Sequence, residues 1–206
     1  MEFAGLILAG GAGRRFGGPK AFARLPDGRT FVEACGRTLD RAGARPVAAT
    51  LPPSVTAEEI PGVRPLLLPG PGLDMLGSLR WGLRHLISDR EWRAVVVLPV
   101  DHPLVSVQTV VRLARVDAPV VIPIYRGKHG HPFCCTRWVA EGIGREEIPG
   151  ATVREVIGGQ GVVVVAVDDP GVIANCNTPA ALRAAIDSVR NSTFEVRGPD
   201  LGSRKP

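Results

Sequence analysis

The sequence predicts an α/β domain: a doubly wound, mostly parallel sheet with helices on both faces. Three observations predict it. Short β-branched runs alternate with helical patterns along most of the chain. Runs such as Val95-Val96-Val97-Leu98 are apolar at every position, which implies burial on both faces of a sheet, the mark of parallel strands covered by helices. The length of 206 residues suffices for one such domain with a full core and is short for two.

The elements follow in order. Residues 3–9 read as a buried strand. A helix is expected over 30–42, with Thr30 as N-cap and Glu33 three residues on, the spacing of a capping box. Strands are expected at 46–51, 64–68, 94–100, 120–125 and 162–167, and helices at 75–87, 107–115, 152–157 and 179–190. Thr178 and Pro179 suit the cap and first turn of the last helix. One domain over 1–190 is then followed by a polar tail, 191–206, containing Gly and Pro.

Composition narrows the function classes. Net charge is +5 and only Lys20, Lys128 and Lys205 are lysines. The arginines are scattered and no aromatic residues interleave with them, so a nucleic-acid partner is not supported. A mild positive balance fits a small polyanionic ligand. No apolar run could cross a bilayer, so no membrane partner is expected. Met1-Glu2-Phe3 enters an apolar run without a basic segment, so no signal peptide is read. Cys35, Cys134, Cys135 and Cys176 form no C-x-x-C spacing and read as small buried hydrophobes, which points to reduced thiols and a cytoplasmic protein.

Chemistry concentrates after the first strand, in Leu8-Ala9-Gly10-Gly11-Ala12-Gly13-Arg14-Arg15-Phe16-Gly17-Gly18-Pro19-Lys20. Glycine lets the backbone turn sharply and approach a ligand, and successive N–H groups can cradle phosphate oxygens. Arg15 and Lys20 add positive charge at the same rim. Two familiar motifs fail here. In a dinucleotide fingerprint Phe16 would stand where the last glycine belongs, and no acid ends the second strand. In a P-loop Pro19 would intervene before the lysine and Ala21 would replace the hydroxyl.

Val100 delivers Asp101-His102-Pro103. A carboxylate at the carboxyl end of a central strand sits where ligands bind in such sheets, and Mg²⁺ takes one or two carboxylates beside water and substrate phosphates. A turn or cap aspartate before Pro103 is the competing reading, and His102 reads as positional. Gly127-Lys128-His129-Gly130-His131-Pro132 reads as a loop. Its two histidines lack the further ligands zinc needs. An acceptor-binding loop is preferred, with Lys128 as a point charge and Gly130 allowing close approach. Asn175-Cys176-Asn177 precedes the last helix, and either asparagine could be a turn residue or a neutral oxygen ligand opposite Asp101.

Together these residues resemble the MobA-like nucleotidyltransferases, the molybdenum cofactor guanylyl- and cytidylyltransferases and their relatives. The signature loop is Leu8-Ala9-Gly10-Gly11-x-Gly13-x-Arg15-Phe16-Gly17-x-x-Lys20. Further matches follow in order: Gly77-Ser78-Leu79-Arg80, Asp101-His102-Pro103, Gly130-His131-Pro132, Gly150-Ala151-x-x-Arg154 and Asn175-x-Asn177-Thr178-Pro179. The resemblance implies a nucleotide-diphospho-sugar transferase-like fold and a Mg²⁺-dependent transfer of a nucleoside monophosphate from CTP or GTP to a phosphorylated acceptor, first of all molybdopterin. It implies that Leu8, Ala9, Gly10, Gly11, Gly13 and Ser78 adjoin the nucleotide, that Arg15 and Lys20 bind its phosphates, and that Asp101 with Asn175 or Asn177 holds the metal. Gly130 and His131, with Lys128, would face the acceptor. A molybdoenzyme or maturation partner is the expected protein partner. Gly13 replaces a usual serine. Gly10-Gly11 resembles the guanylyl branch, whereas Gly77-Ser78-Leu79-Arg80 and Gly130-His131-Pro132 resemble the cytidylyl branch, so both bases stay open. A sugar-phosphate nucleotidyltransferase and a nucleotide-binding protein without turnover are the alternatives.

Overall fold

In the computed structural model, residues 2–11, 18–55, 60–89 and 92–195 are described, the side chains of 192–195 excepted. β1 (Phe3–Leu8) is buried along its whole length. Its side chains alternate between two cores, Phe3 and Ile7 on one face and Ala4, Leu6 and Leu8 on the other, as the two-residue period of a strand requires. β4 (Ala94–Pro99) is buried in the same way, so both strands lie central and covered.

β2 (Val47–Leu51) and β3 (Arg64–Leu67) extend the sheet from β1, and the order β3-β2-β1-β4 is parallel throughout. Beyond β4 comes β7 (Phe133–Thr136), antiparallel to both β4 and β5 (Val120–Tyr125). β8 (Val162–Ala166) runs parallel to β5. β6 (Lys128–His129) pairs with Ile124 and Tyr125 antiparallel. Since β8 already pairs Ile124, β6 must lie on the opposite edge of β5, the edge β7 occupies. β6 and β7 are thus two pieces of one strand line, interrupted by Gly130-His131-Pro132.

The expected fold class holds, with helices on both faces. α1 (Phe31–Arg41), α3 (Val107–Ala114) and α6 (Pro179–Glu195) cover one core. α2 (Met75–Ile87), α4 (Arg137–Gly144) and α5 (Val153–Gly158) cover the other. The capping box of α1 is present, with Thr30 and Glu33 bonded reciprocally, and Thr178 Oγ1 accepts from Ala181 N at 3.1 Å to cap α6.

Several expectations are corrected. Residues 127–132 are not all loop: a two-residue turn, Arg126-Gly127, has φ of 46° and 78° and joins β5 to β6 as a hairpin. β7 and α4 were not expected, because β7 is four residues long and passes into a helix with no Gly or Pro punctuation between them. α6 continues to Glu195, past the expected end at 190, because no Gly or Pro stands before Gly198 to stop it. Among the described residues no helix is long and apolar enough to cross a membrane.

Candidate active site

Leu8 of β1 is in register with Pro99 of β4. Two residues past each strand end, Gly10 and Asp101 therefore emerge side by side at the carboxyl edge of the sheet, where open α/β sheets place ligands. They border a cavity of about 220 Å³ lined also by Leu8, Gly11, Lys20 and Ser78. Gly10 is closely packed: a Cβ there would meet Leu68 Cδ1 at 2.5 Å and Ser78 Oγ at 3.0 Å, so the Leu68 side chain would have to move. Ala9 is turned away. Its side chain is in the core, and its N–H is committed to the Thr50 backbone oxygen at 3.1 Å and hydroxyl at 3.3 Å.

Three segments converge on Asp101. Lys20 opens a short 3₁₀ turn (Lys20–Phe22) anchored by the fully buried Ala21. Its Nζ stands 3.5 Å from Asp101 Oδ2 and donates to Asn177 Oδ1. Asn177 is brought there by its neighbour: Cys176 is fully buried and its N–H donates to the Asp101 carbonyl at 2.8 Å. Asn175 is exposed, and among the described residues its side chain makes no hydrogen bond to Lys20, whose partners are Asp101 and Asn177. Asp101 is not a helix cap; Ser106 caps α3 by accepting from Thr109 N. A carboxylate and an amide oxygen converging on one cationic group is the hard-oxygen donor chemistry that Mg²⁺ accepts, so Asp101 and Asn177 fit such an ion. Among the described residues no group of three or more His, Cys, Asp or Glu side chains is placed to hold a metal. An ion on this pair would therefore complete its shell with water and substrate oxygens.

Behind Asp101 lies a pair of histidines. His102 is buried, its Nε2 3.9 Å from Asp101 Oδ1 and its Nδ1 3.4 Å from the Gly171 carbonyl. Its ring stacks on His131 with centroids 4.7 Å apart and planes tilted by 54°. Burial lowers the pKa of both rings, that of His131 to about 4, with the neighbouring His102 adding to the effect and Asp101 opposing it. Both are neutral at physiological pH. The His131 backbone N–H donates to the Val172 carbonyl at 2.8 Å. A Cβ on Gly130 would meet that carbonyl oxygen at 2.5 Å, so only glycine fits. The 3₁₀ turn that presents these carbonyls (Pro170–Ile173) is fixed by Asp169, whose carboxylate accepts from Gly171 N, Ser106 N and Thr109 Oγ1.

His131 faces a second, larger cavity of about 610 Å³. Ile122, Phe133, Val153 and Ile157 make its wall mainly apolar, and Arg154 contributes charge. Asp74 and Met75 line both cavities, so the start of α2 divides them.

The structure thus brings together Leu8, Gly10, Gly11, Lys20, Ser78, Asp101 and Asn177, with Gly130 and His131 next door. Lys128 is exposed on β6 and does not line the larger cavity; its neighbour His129 does, because strand residues alternate sides. Gly13 and Arg15 lie outside the described residues. Asp74, Asp169 and the His102–His131 contact were missed. Asp74 had a local signal, an acid just before an apolar helical run, and it does cap α2 by accepting from Gly77 N at 2.7 Å. The other two depend on contacts distant in sequence. All four cysteines are free and buried, and burial pushes the Cys134 and Cys176 thiols up to about 12 and 11.

Residues 5–160 match the MobA-like NTP transferase domain. The Mycobacterium tuberculosis relative named "Probable molybdenum cofactor guanylyltransferase" is 32% identical over 136 residues, 60% of this chain and 62% of that protein. The match thus spans less than two thirds of the relative's length. A crystal structure of a Mycobacterium tuberculosis protein in complex with manganese has a TM-score of 0.72 at 23% identity, covering 92% of this chain and 100% of that one. The crystal structure of 2-C-methyl-D-erythritol 4-phosphate cytidylyltransferase from Thermus thermophilus gives 0.68 at 21% identity, covering 92% and 100%. At these identities the two structures establish the fold.

Proposed function

Because this chain belongs to the MobA-like NTP transferase family, we propose that it transfers the nucleoside monophosphate of an NTP to a phosphorylated acceptor and releases pyrophosphate. The observation that carries the reading is the Lys20 ammonium held between Asp101 and Asn177 at the mouth of a glycine-bordered cavity. A triphosphate needs a close-approaching backbone, a mobile cation and a hard-oxygen metal site; the reading is supported by Gly10, Gly11, Lys20 and Asp101 bordering one pocket, with Asn177 meeting Lys20.

The acceptor phosphate is an anion at neutral pH, so it attacks the α-phosphorus without a general base. The protein's work is positioning two polyanions and offsetting charge on the leaving pyrophosphate. Leu8, Gly10, Gly11 and Ser78 hold the nucleoside side. Lys20, with Arg15 five residues before it in the sequence, neutralises the phosphates. Mg²⁺ held by Asp101 and Asn177 would supply positive charge to the phosphate oxygens. His131, Gly130 and Arg154 wall the acceptor cavity.

The mainly apolar wall of that cavity favours an acceptor with a ring body over a bare sugar phosphate. A molybdopterin-type acceptor fits, in keeping with the relative's name, and GTP is the first donor by the same token. We assign the protein to the cytoplasm, with a molybdoenzyme or maturation partner receiving the product.

The test is pyrophosphate release from purified protein with Mg²⁺, molybdopterin, and either GTP or CTP. Release that depends on acceptor and is faster with GTP is expected. No release with either nucleotide would overturn the transferase reading, and faster release with CTP would overturn the choice of base.

A further inference from the structure

We propose that His102 is a positioning residue which, through its stack on His131, couples the Asp101 end of β4 to the wall of the larger cavity and thereby sets affinity for the acceptor. The proposal rests on reading that cavity as the acceptor site. His102 itself lines neither cavity among the described residues. It follows Asp101 directly, is 4% exposed, and reaches His131 across the gap between β4 and the β6–β7 interruption.

The His131 backbone is pinned by its bond to Val172 and by Gly130 packed on the same carbonyl. Its ring is a different matter. Among the described residues no hydrogen bond holds it, and it faces the cavity. The tilted His102 ring, at 4.7 Å, fixes which way it lies. His102 is held in turn by burial, with its Nδ1 3.4 Å from the Gly171 carbonyl and its Nε2 3.9 Å from the Asp101 carboxylate. A shift of His102 would therefore move a wall of the larger cavity, which it reaches through His131, while His102 itself lines no part of the glycine-bordered pocket. A small misplacement of one reactant is enough to lower the rate of a two-substrate transfer.

Two variants separate the ring from its polar atoms. His102→Asn keeps a donor where Nδ1 was and removes the ring. His102→Phe keeps the ring and removes the nitrogens. We expect the Asn variant to raise the molybdopterin KM about tenfold with GTP KM within about twofold, and the Phe variant to stay within about threefold on both. The second readout needs no substrate. The chain has four histidines, and the His131 ring C–H resonances of histidine-labelled protein should move in His102→Asn and stay near the wild-type position in His102→Phe. A Phe variant as impaired as the Asn variant would overturn the proposal, as would an acceptor KM that Asn leaves unchanged or a GTP KM that rises with it. If wild-type protein transfers nothing to molybdopterin, the proposed function fails, and the resonances still decide the coupling: an unmoved His131 signal in His102→Asn overturns it.

Discussion

Lys20 Nζ lies 3.5 Å from Asp101 Oδ2, across 81 residues of chain. The same ammonium donates to Asn177 Oδ1. Lys20, which follows the glycine-rich segment in sequence, thus sits on the two oxygens proposed to hold a divalent cation. Two consequences follow for Lys20→Met. Loss of a phosphate-neutralising charge should lower kcat/KM for the nucleotide at least tenfold, about 1.4 kcal/mol. Loss of a competing cation should tighten Mn²⁺ binding in the absence of nucleotide. Calorimetric titration of both proteins checks the second, and weaker Mn²⁺ binding by the variant would show that the lysine and the metal do not share these oxygens.

Asp101→Asn keeps the side chain's shape and removes its charge. Turnover should fall by about a hundredfold or more, since the proposed metal would lose its carboxylate ligand and the phosphates the cation that offsets their repulsion. Stability should change little, because Asp101 caps no helix and Lys20 keeps the Asn177 Oδ1 acceptor. Pyrophosphate release against Mg²⁺ concentration, with a melting curve as control, decides it. Near-normal activity at ordinary Mg²⁺ would reject the metal role.

Gly10→Ala would push a methyl to 2.5 Å from Leu68 Cδ1 and 3.0 Å from Ser78 Oγ. Leu68 can rotate away at a cost of about 1–3 kcal/mol, and Ser78 Oγ, at 3.0 Å, would have to give slightly at the pocket wall. Nucleotide KM should rise about tenfold while acceptor KM changes less. Equal rises in both would mean that the wall between the two cavities, and not the nucleoside pocket alone, had moved.

Acid should destabilise the fold through His131. Its ring titrates at about 4 when folded, against 6.5 when free, chiefly because it is buried. Between those values the unfolded chain binds a proton that the folded chain refuses, so stability falls as pH drops from about 6.5 to 4 and levels off below. At about 1.36 kcal/mol per pH unit the full loss is about 3 kcal/mol. Burial acts on His102 in the same direction. Urea midpoints measured from pH 7.5 to 4.5 should fall more steeply for wild type than for His131→Asn. Parallel slopes would show that carboxylates, not this ring, govern the acid limb.

Much of the fold was legible because its signals are local. β1 and β4 are apolar at nearly every position, and a strand buried on both faces can be written in no other way. α2 runs over the expected 75–87 because its apolar positions recur at helical spacing on a core-facing side. β7 was not legible: Phe133-Cys134-Cys135-Thr136 suits a strand but is only four residues long and passes into α4 with no Gly or Pro between them.

The same division runs through the site. By itself the sequence determined which residue types gather at the strand ends: glycines for close approach, Lys20 for charge and Asp101 for a hard-oxygen ligand. Choosing among neighbours was beyond it. Asn175 and Asn177 are chemically identical, and Asn177 meets Lys20 because the buried Cys176 donates its N–H to Asp101 and fixes the path of the segment. Lys128 and His129 are adjacent, and strand alternation turns His129 to the cavity. His102 reaches His131 only because the sheet sets β7, which follows the Gly130-His131-Pro132 interruption, against β4. Residue chemistry is a property of the chain, whereas direction and neighbour are set by burial and hydrogen bonding between segments far apart in sequence, and these exist only once the sheet has formed.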